Sequence, residues 1–380
     1  MKVVHVITDT NIGGAGKWLL AFLDHYDRNL LDVEVIAPFN SLLKPEIEKR
    51  GVRVTEAAFL AERSFSAKAV GYLLALLRQT RPDIVHTHAA MSARVAARLT
   101  GGCKIVHTRH SVFKPRFVTT VFPVKCVFGL INGVLSDKII AVSPAAESNL
   151  IQIGANPVKI EVIYNGVSPV APLSADEKRR AREAFGLSPS DFVVALIARL
   201  TAVKGHGYAI GAAKIIAETS PDVKFIFAGS GDMEFALRKQ IFDEGVTNVV
   251  MTGFLPDVRA LENIMDAQIN ASYGTEATSL SLLEGMSLGA PAVVSDFGGN
   301  PYVIKDEHTG LVVPRKDAAA LAAAILRLAG DPALCKRLGE NAREEYESRF
   351  TAALMASRVT RTYFELTGAD VSGGEKGGSL

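Results

Sequence analysis

Short runs of apolar, β-branched residues recur along the chain at intervals that a helix can fill. This alternation restricts the fold more than any other property of the sequence. KVVHVI, VEVIA, KIIAV, FVVALI, KFIFA and APAVVS are apolar almost throughout, not at every second position. Strands buried on both faces read this way, which implies a parallel sheet with helices on either side. In the first half, strands are predicted over residues 2–8, 33–37, 52–55, 83–87, 104–108, 138–142 and 159–164. Apolar spacing near 3.6 predicts helices between them over 17–26, 67–79 and 92–99. After Asn165 the stretch GVSPVAPLSADEKRRA breaks the rhythm with two prolines and with Ser174, placed to cap a helix. The alternation then restarts over 192–197, 223–228, 248–252, 268–271, 291–295 and 311–313, with helices beginning near Gly205, Asp232, Asp257, Leu280 and Asp317. The expectation is two doubly wound α/β domains joined near 166–172. Such sheets bind ligands beyond the carboxyl ends of their strands, so facing domains would share one cleft. A helical tail is expected from about 332 to 366, and the glycine-rich stretch 368–380 is expected to be disordered.

Composition narrows the function. Apolar residues at 48 % and charged residues at 22 % suit a large core and exclude long disordered or collagen-like repeats. A net charge of +2 gives no bulk reason to expect nucleic-acid binding. The halves differ: residues 1–170 carry 20 Lys and Arg against 13 Asp and Glu, and residues 171–380 carry 22 against 27. Only the first half is thus expected to meet an anionic partner. Cys103, Cys126 and Cys335 have no zinc or redox spacing and are expected to be reduced, buried and inert. No uncharged apolar run approaches the ~18 residues of a membrane span, and MKVVHVITDT reads as a strand and a polar loop, so the expected location is cytoplasmic.

Several constellations could carry chemistry. NIGGAGK, residues 11–17, follows the first strand and opens a helix, where Gly13 and Gly14 would let backbone N–H groups approach a phosphate. It is not a P-loop, because Asn11 and Trp18 stand where Gly and Ser or Thr are needed. The dinucleotide fingerprint is also absent, and VEVIAP ends without the acid that would hold a ribose, which disfavours a dinucleotide oxidoreductase. Arg199 and Lys204 follow a strand in ARLTAVKG and suit a diphosphate. Glu276 and Glu284 stand eight apart in EATSLSLLE. With a helix starting near Ser279 or Leu280, free N–H groups would point at phosphate, with one carboxylate in the loop and the other on the helix. His86 and His88 share a strand face, while His107 and His110 flank another strand end. No carboxylate with ligand spacing accompanies them, and no Asp-x-Asp occurs, so no metal site is expected. His110, after a strand end, suits either a hydrogen bond donated to a substrate hydroxyl or carbonyl or a structural hydrogen bond. Residues 111–135 place Lys114, Arg116 and Lys125 among aromatic and aliphatic residues, a pattern that suits either a membrane surface or an ordinary packed helix pair.

Together these stretches resemble the retaining GT-B glycosyltransferases of family 4, the glycosyltransferase group 1 type. The likeness is carried by Gly13-Gly14, HTHAA (86–90), TRHS (108–111), VSPAAESNL (142–150), VIYNGV (162–167), ARLTAVKG (198–205), FAGSGD (227–232), Gly253-Phe254 and, most specifically, residues 276–304. It implies a GT-B fold with an N-terminal acceptor-binding Rossmann-like domain (1–168) and a C-terminal nucleotide-sugar-binding one (169–349). A helix (350–367) would cross back to the first, ahead of the tail 368–380. It also implies a metal-independent, retaining hexosyltransferase using a UDP- or GDP-sugar as donor substrate and no cofactor. By resemblance, Arg199 and Lys204 bind the donor diphosphate, Glu276 and His110 meet the donor sugar, and Glu284 holds the ribose. The N–H groups near Ser279 and Leu280 meet the distal phosphate, Gly253 and Phe254 the base, and the Gly13-Gly14 loop closes over the donor. The basic first half and its apolar-basic segment suit as acceptor a glycan or lipid-linked glycan of envelope or surface polysaccharide, including lipopolysaccharide, with peripheral membrane contact through 111–130; a soluble acceptor remains open. The chain departs from the family pattern at Ala277-Thr278, Ser168 and Pro301-Tyr302. Competing readings are a nucleotide-sugar-binding partner subunit without turnover and a GT-B sugar-nucleotide epimerase.

Overall fold

The computed structural model describes residues 1–60, 65–113, 115 and 117–369. Lys114, Arg116 and the expected disordered tail, apart from Gly368 and Ala369, lie outside the described residues. The chain divides into two compact units: Met1–Gly166 together with the residues from Ala352 onward, and Val167–Thr351.

The first unit holds strands β1 (Lys2–Ile7), β2 (Asp32–Pro38), β3 (Arg53–Ala57), β4 (Ile84–His88), β5 (Lys104–Arg109), β6 (Lys138–Ala141) and β7 (Ile160–Val162). Their order is β3-β2-β1-β4-β5-β6-β7, and every pair is parallel. The order reverses between β1 and β4, the switch point at which such sheets open a crevice. Helices α1 (Gly14–His25), α2 (Leu43–Glu48), α3 (Ala67–Thr80), α4 (Met91–Thr100), α5 (Val124–Leu135) and α6 (Pro144–Gln152) complete the crossovers. Period-2 alternation sends Val4, Val6 and Val85 to one face, packed with α3 and α4, and Val3 and Ile7 to the other, with Trp18 and Phe22 of α1.

The second unit opens with α7 (Ala175–Ala184), whose Ser174 forms a capping box with Glu177. Strands β8 (Phe192–Ile197), β9 (Val223–Ala228), β10 (Val249–Gly253), β11 (Ala267–Asn270), β12 (Ala292–Ser295) and β13 (Gly310–Val313) form a second parallel sheet, ordered β10-β9-β8-β11-β12-β13. Its switch point lies between β8 and β11. Helices α8 (His206–Ala217), α9 (Glu234–Asp243), α10 (Arg259–Ile264), α11 (Leu280–Ser287), α12 (Asn300–Val303), α13 (Ala318–Gly330) and α14 (Pro332–Arg349) follow their strands.

The tail, read from periodicity as one helical stretch, is two helices, α14 and α15 (Ala352–Thr367), broken at Phe350-Thr351, close to the division after 349 that the resemblance implies. The break has a tertiary cause: Phe350 is fully buried, its carbonyl accepts from the Val167 N–H at 3.0 Å, and Thr351 bridges Val167. Helix α15 belongs to the first unit and buries Met355, Val359 and Tyr363 in the core around Trp18 and Phe22. Each such side chain contributes roughly 1.5–3 kcal/mol by leaving water. The cysteines are free, but only Cys103 and Cys335 are partly sheltered. Cys126 is exposed, against expectation, because α5 turns most of its apolar side chains outward and buries only Asn132. Among the described residues no single helix is long and apolar enough to cross a membrane.

Candidate functional site

In the second unit, Arg199 and Lys204 leave the carboxyl end of β8, and Glu276 follows β11, so both loops rise at the switch point. Glycine makes this approach possible. Gly205 sits at φ +77°, and a Cβ there would lie 2.1 Å from the Ala271 carbonyl oxygen, so only Gly lets the two loops meet. Lys204 then reaches across, and its Nζ lies 2.7 Å from Glu276 Oε2. The same oxygen accepts from Asn270 Nδ2 at 3.0 Å and Ser272 Oγ at 3.1 Å. Glu276 is only 5 % exposed, and three donors on one oxygen are what a buried carboxylate requires. Its Oε1 makes no hydrogen bond among the described residues and is left to accept from a ligand.

Behind this carboxylate the backbone is pinned by Gly298-Gly299. The Gly299 N–H donates to the Glu276 carbonyl at 3.0 Å, and a Cβ on Gly299 would stand 1.6 Å from the Ala277 oxygen. Asn300, 1 % exposed, ties the same loop to β11 and β12 through the Asn270 carbonyl and Ser295 Oγ. Helix α11 begins directly after. Ser279 caps it in an extended conformation without a side-chain bond to the helix backbone, so the first-turn N–H groups from Leu280 onward remain available to an anion. Ser279 Oγ instead meets Ser281 Oγ, which bonds the Ile197 carbonyl of β8. Glu284 lies just over one turn inside α11 and is half-buried. Arg199 is exposed, and its guanidinium makes no ion pair among the described residues. Gly253, at φ +73°, ends β10 at a register shift, and the Phe254 ring beside it is 69 % exposed.

The first unit presents a different chemistry. His110 follows β5, half-buried, with its Nε2 2.9 Å from His88 Nδ1. Burial, with help from the Arg109 charge, pushes its pKa down to about 3, so its imidazole is neutral at pH 7. His5, His86 and His88 are fully buried below it on the face shared with α1 and α15. His107 points to the opposite face, with Thr87. Gly13 caps α1 in extended backbone, and neither Gly13 nor Gly14 has a positive φ. Both are exposed, and a Cβ on Gly14 would meet nothing within 4 Å, so the fold itself does not demand glycine there. Gly16 is different: it packs on Leu43 of α2.

The family model described as "Glycosyltransferase Family 4" matches residues 12–170, and that described as "Glycosyl transferases group 1" matches 177–345. Between them they take in most of the chain. It belongs to the group 1, family 4 glycosyltransferases. A galactosyltransferase of Escherichia coli, named for transfer from UDP-Gal to GlcNAc-diphosphoundecaprenol, is 28 % identical over 79 % of this chain and 79 % of its own. A glycosyltransferase of Methanocaldococcus jannaschii is 28 % identical over 93 % of this chain and 94 % of its own. HepE of Anabaena, solved with UDP-glucose, superposes with a TM-score of 0.83 at 22 % identity, covering 96 % of this chain and 100 % of that one. The fold of this glycosyltransferase is GT-B.

Four polar residues of the glycosyltransferase's second-unit site escape sequence reasoning: Asn270, Ser272, Ser295 and Asn300. Their signal is faint but real, since polar side chains at the ends of apolar strands β11 and β12 have no solvent to explain them. In the first unit His5 carries the same signal, as the polar residue inside the apolar run KVVHVI, and Tyr363 carries none.

Proposed function

We propose that this glycosyltransferase moves a hexosyl group from a nucleoside-diphosphate sugar to a glycan or lipid-linked glycan acceptor, with retention and without a metal. The observation that carries the reading is the clasped Glu276 beside Lys204, ahead of the uncapped start of α11. Cleaving an anomeric C–O bond leaves negative charge on the diphosphate. Arg199, Lys204 and the N–H groups at Leu280 and Ser281 are positive ends, which favour that charge most where it is greatest, in the transition state. They supply the role a bridging cation would otherwise take. Glu276 Oε1 accepts from a donor-sugar hydroxyl, and Glu284 from the ribose. Phe254 offers its exposed ring to the base. On the first unit, the Gly13-Gly14 loop and His110 are the groups we propose to meet a sugar substrate. The acceptor oxygen bonds to the anomeric carbon on the face the diphosphate leaves, and its proton passes to the departing phosphate oxygen. UDP is the favoured carrier because the Escherichia coli relative is named for UDP-Gal and HepE was solved with UDP-glucose; GDP is the alternative.

The lipid-linked acceptor suits α5 and the segment just before it. Phe117, Val118, Phe122, Val127, Leu130 and Val134 are each at least half exposed, an apolar area of the kind that marks a docking surface. Lys125 stands among them, and the first half carries the positive excess, so the occupant we propose is the surface of an anionic bilayer on the cytoplasmic side. Sedimentation with vesicles rich in anionic lipid should carry the protein down at low salt; failure to sediment would overturn this attachment.

The donor site is tested by calorimetric titration with UDP, GDP, ADP and CMP in EDTA. One nucleoside diphosphate should bind, and Glu276→Ala and Lys204→Ala should each abolish transfer from its sugar conjugate with the fold intact. Near-native turnover in both would refute the site. Binding without transfer to any glycan acceptor would favour a partner subunit.

A further inference from the structure

The glycosyl-transfer chemistry leaves one group of side chains unexplained: His5, His86, His88 and Tyr363, all fully buried at the β1–β4 switch point, with Thr108 on β5 beside them. Among the described residues, the three histidines are the cluster whose spacing would admit a metal ion, their nitrogens lying within 4.8 Å of one another. Every one of those nitrogens, however, already has a hydrogen-bond partner. Thr108 Oγ1 is 2.6 Å from His86 Nε2, His86 Nδ1 meets the Tyr363 hydroxyl, and that hydroxyl lies 3.4 Å from His5 Nε2. His5 Nδ1 is 3.0 Å from His88 Nε2, and His88 Nδ1 is 2.9 Å from His110 Nε2. Only His110 Nδ1, at the end of the series, has no partner among the described residues.

A neutral imidazole carries one proton, so each ring must donate on one side and accept on the other. Convergence of the links on the Tyr363 oxygen, which can accept twice, would leave the hydroxyl proton of fully buried Tyr363 without an acceptor and is excluded on that ground. The five links can therefore run in two directions. In one, His110 Nε2–H donates inward and the series ends with His86 Nε2–H on Thr108. The Thr108 hydroxyl proton, 1 % exposed, then has no acceptor, and an unmade buried bond is costly. In the other, Thr108 donates to His86, His86 to Tyr363, Tyr363 to His5, His5 to His88 and His88 to His110. Every proton within the series is then used, and the one left over, on His110 Nδ1, lies at its open end. Burial lowers the pKa of all four histidines, which keeps the rings neutral as this counting requires.

We propose that Thr108, His86, Tyr363, His5 and His88 form a directed hydrogen-bond series that holds His110 as its Nδ1–H tautomer, so that its open nitrogen is a donor and not an acceptor. The five are positioning residues. An outward N–H suits the lone pairs of a sugar hydroxyl or carbonyl oxygen, a consequence that rests on the function proposed above; the tautomer itself does not.

The test is long-range ¹H–¹⁵N correlation spectroscopy of the full-length chain with ¹⁵N-labelled histidine. His110, assigned by its loss in His110→Gln, should show one tautomer, protonated at Nδ1. Thr108→Val removes the terminal donor, and Tyr363→Phe cuts the middle link; in each, both tautomers of His110 should appear. Thr108→Ser should restore the single form, which a merely structural role for the methyl would not do. A wild-type His110 protonated at Nε2 would overturn the proposal. So would an unchanged spectrum in both Thr108→Val and Tyr363→Phe, or loss of the His5, His86 and His88 signals on adding equimolar zinc. If the tautomers behave as stated while no nucleoside diphosphate binds, the series stands and the transferase site assignment falls.

Discussion

Lys204 and Glu276 should be energetically coupled, and the structure sets the size of the coupling. Lys204→Met leaves Glu276, 5 % exposed, without its cation. Removing one partner of a buried pair costs roughly 3–5 kcal/mol, and the surviving bonds from Asn270 and Ser272 favour the lower end. Glu276→Gln keeps an oxygen for Asn270 and Ser272 but leaves Lys204 unpaired. Its side chain is 19 % exposed and partly hydrated, so about 2 kcal/mol is expected. Independent effects would sum to about 5 kcal/mol. The double variant removes both charges and should lose only about 2–3 kcal/mol, a coupling of about 2 kcal/mol. For a unit the size of Val167–Thr351, each kcal/mol moves the melting temperature by about 2–4 °C. Calorimetry should thus find the Lys204→Met transition lowered by about 6–12 °C and the double variant no lower. Shifts that simply add would refute a buried, mutually compensating pair.

Two further outcomes follow from single features. Gly299→Ala, whose Cβ would stand 1.6 Å from the Ala277 oxygen, should cost about 3 kcal/mol or more and abolish nucleotide binding by displacing Glu276, whereas Gly14→Ala should leave stability within about 0.5 kcal/mol; equal melting temperatures for the two variants would show the loop to be yielding. Stability should also fall on acidification earlier than carboxylate titration alone predicts. His5 and His110 are held at about 3, below their ordinary 6.5, so the unfolded chain binds more protons and stability rises with pH. Their contribution is complete above about pH 6.5 and is lost as pH falls toward 3, at up to ~1.4 kcal/mol per histidine and pH unit. Trp18, the sole tryptophan, lies 5.6 Å from the His110 ring and reports the urea midpoint by fluorescence. An equal midpoint at pH 7.5 and pH 5 would refute the buried neutral rings.

What the sequence disclosed was what local physics determines. The central strands, among them β1, β8, β9 and β12, could be read because strands buried on both faces are apolar on both faces, and Ser174 and Asp317 announced their helices by capping chemistry. Glu276 and Lys204 stood out as charges at the ends of apolar strands. Asn270 and Asn300 did not, because a neutral polar residue near a strand end looks like any loop residue until its partners are known. Tyr363 was invisible for a stronger reason: its partner His86 lies 277 positions away, and nothing in a helix pattern marks which phenol meets a histidine. The break at Phe350-Thr351 and the exposure of Cys126 were likewise decided by tertiary packing, which periodicity does not encode.

The placement of α15 bears on how this protein is made. The first unit is discontinuous: its last helix is separated from the rest by the whole of Val167–Thr351. A ribosome adding roughly 5–20 residues per second spends about 10–40 s on that insertion. Throughout that interval Trp18 and Phe22 lack the side chains of Met355, Val359 and Tyr363 that seal them. The nascent first unit therefore leaves the exit tunnel with an open apolar seam, while the second has all its residues and can close first. Chains cut short before residue 363 lack the phenol that joins His86 to His5, so an incomplete translation product cannot assemble the histidine series.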